Sequence, residues 1–372
     1  MKNIRDKLTT YKRDTYLTEE EKSYDDSLLP VIDCEVGYSP FGCSQKMLEL
    51  IKGFDFSQVA RYPEMFYAKL LKPIIIERFS KANLNPANIF FGHGSFNLAE
   101  RVIHKFIMPR SMLGYGPQFN EVPTEMEAAG GDYRPIPFTA DFQFPLQEIL
   151  SQLNAGKDSM LYLDNPNNPT GYLIPLEDIE LMVQDAEKNE IIVLVDEAYG
   201  DFVPDECSAI NLIRKHSNLM VIRSFSKALG LAAQRVGYMA ISDALAPYYG
   251  KVDVPFEPTL ISAVMASAIL GDHDFINQVR RSSRTAKEKI SSAFTYKGLD
   301  ILPTHPDVSI FVVHQSGVNL FAQFQKMGIK VENGAVYRKT NKEINHSFIR
   351  LRVPNEKDIE EVVKRIIENN FD

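Results

Sequence analysis

The chain has 372 residues, 44% of them hydrophobic and 24% charged, with 41 Lys and Arg against 49 Asp and Glu for a net charge of −8. This length and balance exclude a disordered, collagen-like or disulfide-stapled chain and allow two domains of about 150 residues or slightly more. The acidic balance argues against a nucleic-acid backbone as partner, and no apolar run approaches the roughly 18 residues that a membrane span needs.

From the N-terminus, residues 1–16 are polar and lack the apolar stretch of a secretory signal. Glu19, Glu20, Glu21, Asp25 and Asp26 read as a solvated arm or short helix. The three cysteines, Cys34, Cys43 and Cys207, have no CxxC spacing. An odd count argues for reduced thiols and a cytoplasmic protein, and no metal site is expected. Residues 89–91 read as a strand, after which Leu98, Val102, Ile103 and Phe106 recur at helical spacing. Residues 160–163 read as a second strand. Pro175 then opens a helix as its first residue, with Ile179, Met182, Val183 and Ala186 on one face. Residues 191–195 are a continuous, β-branched apolar run, as a strand buried on both faces requires. Residues 219–222 form another such run. The alternation of strand and helix implies an α/β domain with a mainly parallel sheet. Further on, Arg280, Arg281, Arg284, Lys287 and Lys289 read as a wet helix face. Residues 308–313 read as a strand, and Ile359, Val362, Val363 and Ile366 mark an amphipathic C-terminal helix. The expected organisation is an N-terminal arm with a small-domain segment (1–45), a large α/β domain (46–252) and a smaller α+β domain (253–372).

Ligands of open parallel sheets bind at the carboxyl ends of the strands. The unusual residues of this chain gather there: Gly92-His93-Gly94-Ser95, Asn165 to Gly171, Asp196 to Tyr199, and Ser224 to Lys227. Taken alone, Asn165-Pro166-Asn167-Asn168-Pro169-Thr170-Gly171 is a turn. Asp196, ending the most apolar strand, needs a partner for its charge, and a structural ion pair is as good a reading as a catalytic one. Lys227 beside buried strands invites a lowered pKa and Schiff-base chemistry, but a lone lysine more often carries a solvated charge.

Together NPNNPTG, DEAY and SFSK, with Arg235 eight residues after the lysine, stand in an order and spacing that resemble the class I and II, fold-type I, pyridoxal-phosphate-dependent aminotransferases, in the branch similar to histidinol-phosphate aminotransferase. The resemblance runs from about Pro40 to the C-terminal helix. It implies a seven-stranded, mainly parallel sheet flanked by helices, a small α+β domain, and pyridoxal 5'-phosphate as cofactor. It further implies that Lys227 forms the aldimine and shuttles a proton, and that Asp196 holds the pyridine nitrogen protonated. Asn168 and Tyr199 would meet the phenolic oxygen. Phe119 would stack on the ring, although a core phenylalanine is a fair alternative. The loop of Gly94, Ser95 and Phe96 would meet the phosphate through N–H groups, joined by Ser224, Ser226 and Arg235. Tyr62 matches a tyrosine that reaches the phosphate from a neighbouring subunit, so a homodimer is expected.

On the substrate side, Arg350 matches the arginine that grips an α-carboxylate, and Arg352 is expected on the opposite face of the strand. Gly37 and Tyr38 fall where relatives line the substrate, Gly37 replacing a usual asparagine. Phe96-Asn97 replaces a common acidic residue, and Pro354 a common glycine. Histidinol-phosphate enzymes carry a second arginine for the substrate phosphate. Arg338 is the nearest candidate here and fits the spacing from Gly328-Ile329 poorly, which argues against histidinol phosphate as substrate. His93 reads as a plain loop residue. The implied reaction is ping-pong transfer of an amino group between an amino acid and a 2-oxo acid. The alternative is a decarboxylase, or an enzyme that eliminates or cyclises at Cβ, on the same scaffold. A cofactor-binding regulator module is disfavoured by the acidity and by the short stretch ahead of Pro40, and a nucleotide-binding enzyme by the lack of a GxxxxGK[S/T] loop.

Overall fold

The computed structural model describes residues 30–63 and 67–371; the acidic run at 19–26 lies outside them. Strand β1 (Ile32–Asp33) comes first. It is followed by β2 (Ile89–Gly92), β3 (Ser111–Gly116), β4 (Asp132–Pro137), β5 (Met160–Asp164), β6 (Ile192–Glu197), β7 (Leu219–Ser224) and β8 (Gly237–Ile241). These seven form one sheet in the order β2-β8-β7-β6-β5-β3-β4, in which β8 alone runs against its neighbours.

The apolar runs dictate this centre. Alternate residues of a strand face opposite sides, and both sides of this sheet are covered. Leu161, Leu163, Val193, Val195, Leu219 and Val221 join one core, while Met160, Tyr162, Leu194, Met220 and Ile222 join the other. The predicted helix spans Leu176–Lys188, with Ile179, Met182, Val183 and Ala186 fully buried. Pro175 is its N-cap and not its first helical residue, because its ψ of 142° keeps it extended. The periodic residues after β2 lie in the helix Ser95–Arg101 and a wider turn over Val102–Phe106.

A second sheet has the order β12-β13-β10-β9, from β9 (Asp300–Ile301), β10 (Ile310–His314), β12 (Glu332–Asn333) and β13 (Phe348–Arg352). Strand β11 (Ile329–Lys330) pairs parallel with β1, which ties the N-terminal segment to this smaller unit. The amphipathic C-terminal helix is Ile359–Glu368 and buries Ile359, Val362 and Ile366. We propose the division at 45/46 and 252/253 for the two units. Beyond 252, the helix Leu260–Leu270 nevertheless packs Ala263, Ala266, Ile269 and Leu270 into the larger core. The long helix His273–Tyr296 spans both cores, with Ile276 in the larger and Ala286, Ile290 and Phe294 in the smaller.

The expected wet helix face holds for Arg281, Arg284 and Lys289, which are exposed, but not for Lys287 and Arg280. Lys287 is buried, its Nζ donating to Thr304 Oγ1 (2.6 Å) and to the carbonyls of His305 (2.8 Å) and Val308 (2.9 Å). Arg280 likewise donates to the carbonyls of Asp201 (2.9 Å) and Val203 (2.6 Å). Carbonyls left free by the irregular 304–310 segment and the turn after β6 supply these acceptors, and a buried carbonyl needs a donor. The cysteines are free thiols, and burial pushes the Cys34 thiol up to about 12, which makes it inert.

Candidate active site

Strands β5, β6 and β7 end side by side, so Asp164 lies opposite Asp196 in the ladder. The loops that follow enclose two adjoining cavities, both lined by Val36, Gly37, Phe119, Asn168 and Lys227. The first also gathers Tyr38, Ser95, Phe96, Asp196, Tyr199, Ser224, Ser226 and Arg235. The second gathers Arg350 with Glu35, Asn120, Glu332, Val336 and Tyr337. The residues singled out from four distant stretches of sequence therefore converge. Tyr62 lies elsewhere in its own chain, 73% exposed and stacked on Phe256 at 4.7 Å.

Lys227 Nζ donates to the Gly37 carbonyl at 2.6 Å and sits 5.3 Å from the centre of the Tyr199 ring. The close approach requires glycine at 37: a Cβ there would stand 2.6 Å from Tyr199 Oη and 3.0 Å from Lys227 Nζ. The residue that departs from the expected asparagine thus makes room for the lysine. Tyr199 Oη is buried and has no hydrogen-bond partner, an orphan that a ligand oxygen at this point would satisfy.

Asp196 accepts from the Ala198 N–H at 2.9 Å. Burial and then the charge of Asp164 push its carboxyl up to about 7, against the lowering effects of the Ala198 N–H, Lys227 and Ser95. Asp164 accepts from the N–H groups of Asn168 (3.0 Å) and Phe119 (3.2 Å) and from the side chains of Gln118 and Asn167 (3.1 Å each). It thereby holds the backbone of Asn168 and Phe119, which line both cavities. The sequence reading did not single it out, because its partners come from outside its own strand.

The titration of Asp196 gives a first prediction. Without cofactor, native Asp196 holds a proton between about pH 4 and 7 that the unfolded chain releases, so its contribution to stability falls as pH rises through that window. Asp196→Asn removes this slope. Urea unfolding of the cofactor-free protein at pH 5 and pH 8 should show a wild-type difference of order a few kcal/mol that shrinks in the variant. Equal pH slopes would contradict the assignment.

Around the first turn after β2, Gly94 has φ +88, and a Cβ there would lie 3.0 Å from Arg235 Nη2. Arg235 Nη1 donates to Ser226 Oγ at 3.3 Å, and Ser224 Oγ accepts from the Ser226 N–H at 3.1 Å. Hydroxyls, a guanidinium and loop N–H groups thus meet at one end of the cavity, a donor set suited to a phosphate. Phe119 and Phe96 pack edge to face at 6.3 Å beside it. His93 points away, its Nε2 being 3.2 Å from Glu257 Oε1.

In the second cavity Arg350 is buried. Its Nη1 donates to Asn168 Oδ1 (2.9 Å), and its Nη2 donates to the Glu35 carbonyl (2.6 Å) and pairs with Glu332 Oε2 (2.8 Å). Its Nε is buried without an acceptor. Asn168 Oδ1 is thereby committed, so a further partner of Asn168 meets its Nδ2 donors. The opposite placement expected for Arg352 does not hold. Residues two apart on a strand return to the same face, and Arg352 joins Arg350 against the same segment, donating to the carbonyl of Val36 (2.6 Å) with its guanidinium 4.4 Å from the Tyr38 ring centre. Tyr38 in turn donates to Asp33 Oδ2 (3.1 Å). Arg338 is exposed and lines neither cavity.

The profile of the family described as aminotransferase class I and II matches residues 31–366. The chain belongs to the class I and II aminotransferases. It is 30% identical over 345 residues to histidinol-phosphate aminotransferase 2 of Pasteurella multocida, covering 91% of this chain and 90% of that protein. The crystal structure of histidinol-phosphate aminotransferase from Sinorhizobium meliloti in complex with pyridoxal-5'-phosphate superposes with a TM-score of 0.78 at 20% identity, covering 91% of this chain and 90% of that one. The L-threonine-O-3-phosphate decarboxylase of Porphyromonas gingivalis shares the fold, with a TM-score of 0.73 at 17% identity over 90% of this chain and 98% of that one. As an aminotransferase the chain is an enzyme that transfers an amino group with pyridoxal 5'-phosphate as cofactor. The residues present fit that group: an orphaned phenol, a buried carboxyl poised near neutrality, a lysine and a phosphate-shaped donor set. Among the described residues no helix is long and apolar enough to cross a membrane.

Proposed function

We propose that the two cavities form one aminotransferase centre in which an amino acid gives its amino group and a 2-oxo acid takes it up. The observation that carries this reading is the meeting of Lys227, Asp196 and the unpartnered Tyr199 hydroxyl in the first cavity, with the unpartnered Nε of Arg350 in the second. When bound, pyridoxal 5'-phosphate supplies a carbonyl that accepts the amino group and a ring that takes up the electron pair left at the substrate Cα.

The chain's own residues do the rest. Lys227 Nζ holds the carbonyl end in the resting enzyme and afterwards moves the proton to and from Cα. Asp196, as a carboxylate, keeps a proton at the ring nitrogen, where the cationic ring offsets the burial that raises its carboxyl in the empty site. Tyr199 and Asn168 donate to the phenolic oxygen, and Phe119 covers a ring face and excludes water. Gly94, Ser95 and Phe96 through their backbone, with Ser224, Ser226 and Arg235, hold the phosphate. Arg350 receives the substrate carboxylate on its Nε side, beside Gly37 and Tyr38. Tyr62, exposed on its own subunit, is available to a neighbour's phosphate site in a homodimer acting in the cytoplasm.

Single amino acids added to the purified holoenzyme without an oxo acid should bleach the visible band of the lysine-bound cofactor, and an oxo acid should restore it. A band that persists while carbon dioxide or ammonia accumulates would favour decarboxylation or elimination instead. A fully active holoenzyme that sediments as a monomer would remove Tyr62 from the site.

A further inference from the structure

The charges around the second cavity are unequal, and their balance bears on which amino donor fits. Glu332 stands directly opposite Arg350 in the antiparallel pairing of β12 with β13. It is 9% exposed, and its Oε2 accepts both from Arg350 Nη2 at 2.8 Å and from Tyr337 Oη at 2.7 Å. The Tyr337 hydroxyl also lies 3.3 Å from Asn168 Oδ1. Glu332 is thus held at the wall of the cavity and cannot swing away without costing Arg350 its ion pair and Tyr337 its shorter hydrogen bond.

Among the described residues, the charged side chains lining this cavity are Glu35, Glu332, Lys227 and Arg350. Lys227 is committed to the cofactor end, and the Arg350 guanidinium is already paired with the Glu332 carboxylate. Further cations are engaged elsewhere or lie outside: Arg352, on the same face, is committed to the carbonyls of Asp33, Val36 and Val353 and to the Asp33 carboxylate. Lys339 pairs with Glu127 at 2.7 Å and donates to Thr124 Oγ1 at 3.1 Å, and Arg338 is exposed. Arg350 retains one free donor, Nε, enough for a single substrate carboxylate. Among the described residues lining the cavity no further cation would offset a second anionic substrate group meeting Glu332, and like charges brought together in a desolvated site are strongly unfavourable.

We propose that Glu332 is a specificity-determining residue that admits α-amino acids with neutral or cationic side chains and rejects donors carrying a phosphate or a second carboxylate. This rests on the aminotransferase reading of the site and narrows its substrate class. Negative selection of this kind works through an unfavourable contact with the wrong ligand.

The test is the amino-donor half-reaction of the holoenzyme, followed by loss of the cofactor's visible band, with L-leucine, L-lysine, L-glutamate, O-phospho-L-serine and O-phospho-L-threonine. For the wild type, kcat/KM with leucine or lysine should exceed that with either phosphorylated donor by at least about 100-fold. Glu332→Gln keeps the shape and the hydrogen bonds while removing the charge. It should narrow that ratio by about tenfold, chiefly through a lower KM for the anionic donors. A wild type that prefers a phosphorylated donor, or a glutamine variant with an unchanged ratio, overturns the proposal while leaving the aminotransferase reading intact. No band loss with any donor overturns both. If the variant does not fold, the wild-type donor series decides alone.

Discussion

Lys227→Ala should lower turnover by at least about 10³-fold, the scale on which a positioned proton-transfer group contributes. The reason is local and geometric. Lys227 Nζ is held by the Gly37 carbonyl at 2.6 Å, above the Tyr199 ring, at the junction of the two cavities. No other lysine lines either of them among the described residues. Neither a water nor a neighbouring side chain replaces an amine that both holds the cofactor carbonyl and moves the Cα proton. The variant should still bind the cofactor through the phosphate end, because Ser95, Ser224, Ser226 and Arg235 are unaffected, but without the visible band that the lysine confers. Steady-state rates and absorption spectra of the two proteins check this, and a variant within tenfold of the wild-type rate would dismiss the proposed role.

The second large effect is on stability. Arg223 is fully buried at the end of β7, with Glu197 Oε2 at 2.9 Å, Asp201 Oδ1 at 2.9 Å and the ring of Phe79 beneath it at 5.4 Å. Arg78 reaches the same Asp201 at 2.7 Å. Arg223→Met keeps the volume and removes the charge. Asp201 retains Arg78, but Glu197 keeps only Ser208 Oγ (2.6 Å) and the Ala209 N–H (2.7 Å). A carboxylate stranded in this way costs about 3–5 kcal/mol. Burial already pushes the Glu197 carboxyl up, with Arg223 pulling it down, so its loss raises the folded-state value further. Native Glu197 then binds a proton that the unfolded chain releases, and the destabilisation grows as pH rises. Urea unfolding at pH 5.5 and pH 8 should show the larger loss at pH 8; a loss under 1 kcal/mol at both would mean that the network adds little. Because Glu197 follows Asp196 in β6, the variant should also weaken cofactor binding.

Much of this arrangement was legible in the sequence, for a physical reason. Strands β5, β6 and β7 are apolar on both faces because helices cover both, and that leaves continuous runs that a reader can find. The loops after them bring to the first cavity residues close together in the chain: Asp196 with Tyr199, and Ser224 with Ser226 and Lys227. Their spacing is set by local backbone geometry, so it survives as a motif. Strands β3, β4 and β8 carry weaker patterns, as in Ser111–Gly116 with its two glycines or Asp132–Pro137 with its two prolines, and they emerge as strands through their neighbours in the sheet.

The tertiary structure decided what depends on distant partners. Glu332 and Arg350 are 18 positions apart and meet because β12 pairs with β13. Asp164 matters because it faces Asp196 across the ladder and captures N–H groups from its own loop and from the loop after β3. Lys287 looks like one more charge on a wet helix until the carbonyls of 305–310 close around it. Arg352 takes its place from strand alternation and the N-terminal segment folded against it. Side-chain identity and local spacing are properties of the chain itself, so the sequence was enough to single out the loops that line the first cavity. Which charges neutralise one another, and hence which substrate the second cavity admits, depends on contacts between segments far apart in the chain, and these come into being only when it folds.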